Sequence, residues 1–383
     1  MQLLNKKAER LGDVMQRHRG VGPGFDFLRL ALSLSVVLFH SFQLVNGRGW
    51  GVGVAGPAVS FIVPAFFALS GFLVAGSAAR LRNVRTFLIF RILRIVPALS
   101  VEITLSALVL GPYVTNYPLQ AYFSSQEFAA YFGNLVGWMH FHLPGVFLGN
   151  PLAGVVNGQL WTIPSELHCY ILLAALMVIR VFDRPLIMAA ILIGGVLFET
   201  ATLFRPVAHV GDVLQSGEML VLCFLCGNLF YLLRNRIPAH WGLLVVSTIA
   251  FWSVASLYPR AGFVIGVPAA TYIIVYLGML RMPRVPLLMA GDYSYGIYLY
   301  SFSLQQAIIW ALPAYRMWWA NLAIGLPLIL IIAAASWHII EKPALRLRKW
   351  LAPRALLPRP VLEEPAAERA AGGADVLTVR TSN

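Results

Sequence analysis

Long apolar runs are the feature that most narrows what this chain can fold into. Windows at about residues 26–46, 54–79, 95–114, 161–182, 184–204, 218–233, 240–258, 262–280, 293–312 and 318–340 carry few charges. Most are long enough to cross a hydrocarbon core of about 30 Å as helices. With 59% hydrophobic residues, 12% charged ones and a mean hydropathy of +0.74, the chain is unlike an ordinary soluble domain. The expected fold is therefore all-α, a polytopic membrane protein of about ten transmembrane helices. Residues 127–143 are short for a span and are interrupted by Gly133, Asn134, Gly137, His140 and His142. That segment reads as re-entrant or interfacial.

The positive-inside rule orients these helices. Of the 29 lysines and arginines, only Arg48, Arg205, Arg260 and Arg316 fall on one side, and Arg29 lies inside the first window. The rest share the other side, so both termini are expected to be cytoplasmic. Residues 1–20 form a basic N-terminal arm, 21–350 the transmembrane domain, and 351–383 a tail rich in Pro, Ala and Glu that is expected to be disordered. The net charge of +13 is then mainly a topology signal, with membrane lipids, the anionic headgroups above all, as the default partner and no nucleic acid implied. No short apolar core with a small-residue cleavage site marks a signal peptide. Cys169, Cys223 and Cys226 all lie within windows and read as packing residues.

Ionisable residues inside the windows narrow the function. Arg29 and His40 are eleven residues apart, so on a helix they project within about 20° of each other and about 16 Å apart along the axis. Asp26 precedes them by one turn. Such groups cost about 2.5–3.5 kcal/mol each unless paired or facing a wet cavity, which makes them functional by default. In the second window Ser70 and Gly71 admit either a close helix neighbour or the approach of a substrate tail to the backbone. Arg91 and Arg94 share one helix face and suit an anionic ligand, because guanidinium groups chelate phosphate; orientation bias is the plainer reading. Glu102 is expected to pair with one of these cations.

The fourth window opens Trp161-Thr162-Ile163-Pro164-Ser165-Glu166, with Thr162 as a cap, Pro164 in the first turn and Tyr170 on the same face as Glu166. His40 is one candidate partner for that carboxylate. Tyr295 and Tyr298 share a face of the ninth window, and Asp292 sits at its cytoplasmic end. Between residues 115 and 160, Asn116, Tyr117, Tyr122, Ser124, Gln126, His140, His142 and Asn157 suit either a sugar or a bilayer interface. His140, His142, Glu166 and His168 lack the spacing of common zinc motifs, so no metal is expected.

Together these residues resemble the acyltransferase-3 family of integral membrane acyltransferases. The likeness is carried by Gly24-x-Asp26-x-Leu28-Arg29 with His40, Phe66-Phe67-Ala68-Leu69-Ser70-Gly71-Phe72, Arg91-x-x-Arg94, Leu160-Trp161-Thr162 leading to Glu166 and Tyr170, Ser294-Tyr295-x-x-Tyr298-Leu299, and Glu341-Lys342-Pro343. One departure is Ser301, where the family often has histidine. The chain resembles the single-domain form, without the esterase-like domain fused to some members. The resemblance implies an acyl-coenzyme A donor, most often acetyl-CoA, as co-substrate, with no tightly bound cofactor. It also implies a carbohydrate or glycolipid hydroxyl as acceptor, and the bacterial cytoplasmic (inner) membrane as location.

On this reading His40 is the general base that takes a sugar hydroxyl's proton. Arg29 meets donor phosphates or a developing oxyanion, or simply pairs with Asp26. Arg91, Arg94, Ser70 and Gly71 hold the donor, Glu166 orients His40 or bonds the acceptor, and Trp161, Tyr170, Tyr295 and Tyr298 support the site. A rival reading is a transporter or flippase of a lipid-linked glycan, using Arg29, His40 and Glu166 as a proton relay. A third is an acyltransferase whose acceptor enters from the cytoplasm.

Overall fold

The computed structural model of the protein describes residues 9–18, 20–47, 56–202, 217–257, 266–283 and 291–351. The expected disordered tail, apart from its first residue, lies outside them. A short helix α1 (Leu11–Arg17) precedes α2 (Phe25–Asn46), α3 (Gly56–Leu81), α4 (Val84–Leu105) and α5 (Ile163–Val178). Then come α6 (Pro185–Thr202), α7 (Gly217–Leu232), α8 (Trp241–Leu257), α9 (Val267–Met279), α10 (Ser294–Ala311) and α11 (Trp318–Ser336). From α2 to α11 the helices follow the ten apolar windows, except that α4 begins eleven residues before its window and so takes in Arg85, Arg91 and Arg94; the described residues contain no strand. The chain is an all-helical, polytopic membrane protein.

Five stretches are long and apolar enough to span a bilayer alone: Phe25–Asn46, Phe61–Leu81, Val84–Val114, Gly158–Val178 and Trp318–Leu351. The apolar helices α6 to α9 are shorter in their described extent. Two of the long stretches are longer than the sequence windows: Val84–Val114 because α4 begins eleven residues before its window, and Trp318–Leu351 because the chain stays helical through the π-helical turn Trp337–Glu341. That turn leads into Lys342–Arg346 and Arg348–Leu351, so a basic helical extension follows the last span.

The closest helix pair is α3 with α7. A Cβ added at Gly71 would strike the Phe224 backbone, and one at Gly227 would strike that of Ala68. Only glycine at both positions lets the two backbones touch, which answers the choice posed at Gly71: it is a packing residue, not a donor contact. Helix α2 packs mainly on α10 and α11. Its start is fixed by the Gly24 amide, which donates to the Gly278 carbonyl at 3.0 Å at the end of α9. Helix α4 is capped by Asn83, whose side chain accepts from the Thr86 amide at 2.9 Å. Pro97 leaves α4 one amide short, and α10 braces this region: Tyr295 Oη donates to the Ile95 carbonyl at 3.0 Å.

The segment between α4 and α5 is not a span. It holds the short helices Leu119–Ser124 and Gln126–Tyr131 and a 3-10 turn Phe132–Val136, and it turns back at Gly137, whose φ is 83°. Tyr122, Tyr131 and Phe147 are buried within it. Side-chain amides close it onto the bundle: Gln306 Nε2 donates to the carbonyls of Leu152 at 2.9 Å and Val155 at 2.8 Å, while Asn150 Nδ2 donates to Gln306 Oε1 at 2.7 Å. Tyr122 and Asn157 are therefore committed to the fold and do not face a sugar.

Candidate active site

Glu102 departs from expectation. It is 1% exposed and takes hydrogen bonds from Ser106 Oγ at 2.8 Å and Asn157 Nδ2 at 2.7 Å. Asn157 also contacts Tyr131 Oη. Among the described residues the carboxylate meets no cation, since it lies eight residues beyond Arg94, about 12 Å further along the helix.

The two arginines of the basic end find other acids. Arg94 Nη2 lies 2.8 Å from Asp292 Oδ2, and Arg94 Nη1 lies 3.1 Å from Glu341 Oε2. Arg29 Nη1 lies 2.7 Å from the same Asp292 oxygen, so Asp292 bridges α2 and α4. Asp26, the expected partner of Arg29, is exposed. Ser294 Oγ donates to the other Asp292 oxygen at 2.8 Å, and Ser336 Oγ donates to Glu341 Oε1 at 3.2 Å. Burial pushes the Asp292 carboxyl up, but Arg29 and Arg94 outweigh it and hold the pKa at about 2. The group is an anion throughout the neutral range.

Above this network opens a cavity of about 680 Å³, the size of a small-molecule or cofactor site. Its polar wall includes Arg29, Ser70, Arg91, Arg94, Glu166 and Tyr170; Tyr295 and Tyr298 also face it. Eight sequence-predicted residues thus converge on one space. Glu166 accepts from Tyr170 Oη at 2.5 Å, as their spacing on one face of α5 requires. Arg91 sits over the rings of Phe87 and Tyr170, at 5.8 and 5.7 Å from their centroids.

The end of the cavity away from Asp292 is braced by α10. Tyr298 Oη donates to the Gln159 carbonyl at 2.6 Å and accepts from Thr162 Oγ1 at 2.6 Å. Thr162 thus spends its hydroxyl on Tyr298, and its side chain caps no helix amide. The Phe66 ring stands edge-on to Tyr298 at 6.3 Å.

Four expected residues are not on the cavity wall. Gly71 is spent on helix packing and Asp26 faces outward. Trp161 is half-buried against the core. His40 lies three turns along α2 from Arg29, 7% exposed and edge-on to Phe302 at a centroid distance of 5.0 Å. Phe302 is one turn beyond Tyr298 on α10. No hydrogen bond joins His40 to Glu166, and among the described residues His40 Nδ1 has no partner.

Asp292 and Glu341 are the acids that hold this site together, and Arg80 and Arg348 also line the cavity. Their signal in the sequence was charge balance: two cations inside a membrane domain require acids at the same depth, and these stand beside the Ser-Tyr-x-x-Tyr and Glu-Lys-Pro motifs.

The acyltransferase-3 model, described as an acyltransferase domain, matches residues 23–339. The chain belongs to this family. Its membership makes the chain an acyltransferase and sets the transporter reading aside. Among relatives, Nodulation protein 10 of Rhizobium leguminosarum bv. viciae is 30% identical over 90% of this chain and 99% of its own length. The O-acetyl transferase of Shigella phage Sf6 is 25% identical over 83% of this chain and 94% of that protein. A Bacillus subtilis (strain 168) protein named for peptidoglycan O-acetyl transfer is 27% identical over 86% of this chain and 55% of that protein. No solved structure matches the chain.

Proposed function

We propose that this acyltransferase moves an acyl group, most simply acetyl, from acyl-coenzyme A to a hydroxyl of a cell-envelope or exported carbohydrate. The bacterial cytoplasmic membrane is its proposed location. The observation that carries this reading is the arginine-lined cavity of about 680 Å³, which shares helix α2 with a buried and unsatisfied histidine. The names of two relatives, one an O-acetyl transferase and one named for peptidoglycan, support the oxygen acceptor and the acetyl group.

In this mechanism the donor's phosphates meet the basic end, and its pantetheine arm runs along the wall between Ser70 and Tyr298. The acyl end then points toward His40. A sugar hydroxyl is a weak nucleophile, so His40 accepts its proton as the oxygen attacks the thioester carbonyl carbon. Collapse of the tetrahedral intermediate breaks the carbon–sulfur bond, and the imidazolium returns its proton to the departing thiolate. Glu166, bonded to Tyr170, contacts the donor side of the site and does not orient His40.

Membranes carrying the wild-type chain or His40→Ala, given labelled acetyl-coenzyme A, test this reading. Label should enter glycan with the wild type and not with the variant at equal protein level. Donor consumption by neither protein would overturn it.

A further inference from the structure

The cavity's five arginines divide into two kinds. Arg29 and Arg94 are neutralised by Asp292 and Glu341. Arg80, Arg91 and Arg348 line the same cavity and form no salt bridge among the described residues. Arg91 Nε and Arg348 Nε are each buried with no acceptor. The guanidinium of Arg348 stacks 4.8 Å over the Phe90 ring, and its Nη2 donates to the Phe90 carbonyl at 3.3 Å. That stacking holds it on α4, where it faces the like charges of Arg91 and Arg94. Glu166 lines the same cavity and acts electrostatically on Arg91, but one carboxylate against three cations leaves an excess of positive charge, which is costly to gather in one place. A ligand carrying negative charge relieves the cost, and guanidinium groups match phosphate oxygens in geometry as well as in sign.

Arg348 also lies outside residues 23–339, the segment the family shares. It reaches the cavity because the last span continues past its π-helical turn as the basic extension. That extension brings Leu345 and Arg348 to the cavity wall, which Arg80, exposed near the end of α3, also lines.

We propose that Arg348, with Arg80 and Arg91, forms a phosphate site on the cavity wall that binds the terminal phosphomonoester of the nucleotide-bearing donor. This rests on the acyl-coenzyme A reading. Arg29 and Arg94, already matched by acids, serve the inner part of the donor. A phosphomonoester is a dianion near neutral pH and fits a cluster with excess positive charge better than a singly charged phosphodiester. Lipid headgroups offer the same phosphate chemistry at the membrane surface, so the test separates the two sources.

The full chain is placed in nanodiscs of zwitterionic lipid, with or without phosphatidylglycerol, and binding of coenzyme A and of dephospho-coenzyme A is measured by titration. Wild type should bind coenzyme A roughly ten- to a hundredfold more tightly than the dephospho form, the scale of one or two charge-assisted bonds. Arg348→Gln should lose that preference and keep the weaker affinity for the dephospho form, and Arg348→Lys should recover part of it. Arg80→Gln, at an exposed helix end where folding is not at stake, should lower the preference in the same direction. If Arg348→Gln and Arg80→Gln both retain the full preference, the phosphate lies elsewhere and the site is wrong. If phosphatidylglycerol removes the preference in the wild type, the occupant is a lipid headgroup and the proposal is overturned. Failure of wild type to bind coenzyme A in either lipid would overturn the donor reading as well, which distinguishes the two failures.

Discussion

The two ends of this bundle use polar side chains in opposite ways. At the filled end, away from the arginines, Asn150 and Gln306 bond to each other and to backbone carbonyls, Gln305 donates to the Val37 carbonyl and Ser41, and Asn157 donates to Glu102 and Ser106. At the basic end the charged groups line an open cavity, and among the described residues three of its five arginines form no salt bridge. The filled end is not fully satisfied, since Asn150 Oδ1, Asn157 Oδ1 and Gln305 Oε1 are buried without a partner among the described residues; what separates the two ends is the open volume beside the charged groups. His40 lies nearer the filled end, and its Nδ1 is buried without a partner among the described residues.

The sharpest test of that boundary is His40→Ala. Loss of a general base lowers rate by about 10²–10⁴-fold, and the ring makes no hydrogen bond within the described fold. Initial rates of label transfer should fall by that range while the melting temperature in detergent stays close to wild type. A variant that unfolds would assign His40 to the filled end.

Asp292→Asn should act through stability first. It leaves Arg29 and Arg94 without their shared anion, and breaking a largely buried ion pair in this way costs about 3 kcal/mol. Thermal melting of the purified variant measures it. With the carboxyl held at about 2, its contribution is complete above the ordinary value of 3.8 and disappears only as pH falls through about 2. The destabilisation should therefore be the same from pH 6 to pH 8. A pH-dependent difference would mean that the aspartate is not the paired anion.

Gln306→Leu probes the filled end. Its amide donates to the Leu152 and Val155 carbonyls and accepts from Asn150, so its loss strands buried backbone oxygens at about 1–3 kcal/mol. Melting temperature should fall and KM for the donor should not move. A raised KM would show that the two ends are coupled more tightly than their chemistry suggests.

How far the sequence carried the fold and the site follows from the same contrast. Helices α2 to α11 were legible because lipid imposes a length and an apolarity on each of them. Arg29, Arg91, Arg94, Glu166, Tyr170, Tyr295 and Tyr298 were legible because charges and clustered tyrosines stand out in such windows. Their partners were not, since helix spacing gives a face but not the neighbour it meets. Glu102 looked like a mate for Arg94 by proximity along the chain, whereas Asp292 and Glu341 reach it from helices nearly 200 residues or more away. Gly71 was ambiguous for the same reason. A small residue reads alike whether it receives a ligand or a helix, and only the Phe224 backbone against it decides.

Asp26→Asn is the smallest expected effect and the cleanest control on the ion-pair assignment. Asp26 and Arg29 are three residues apart on α2, a spacing at which opposite charges often pair. In the fold Arg29 instead turns to Asp292, and Asp26 remains exposed. Removing one exposed charge outside any network changes stability by no more than about 0.5 kcal/mol, and the transfer rate should stay at the wild-type level. Measured beside Asp292→Asn in the same detergent, the two variants remove the same carboxylate charge from either side of one arginine. A large loss for Asp292 with none for Asp26 would establish that Arg29 is held by α10 across the cavity. Equal losses would return Arg29 to a local pair and detach α2 from the network at the basic end.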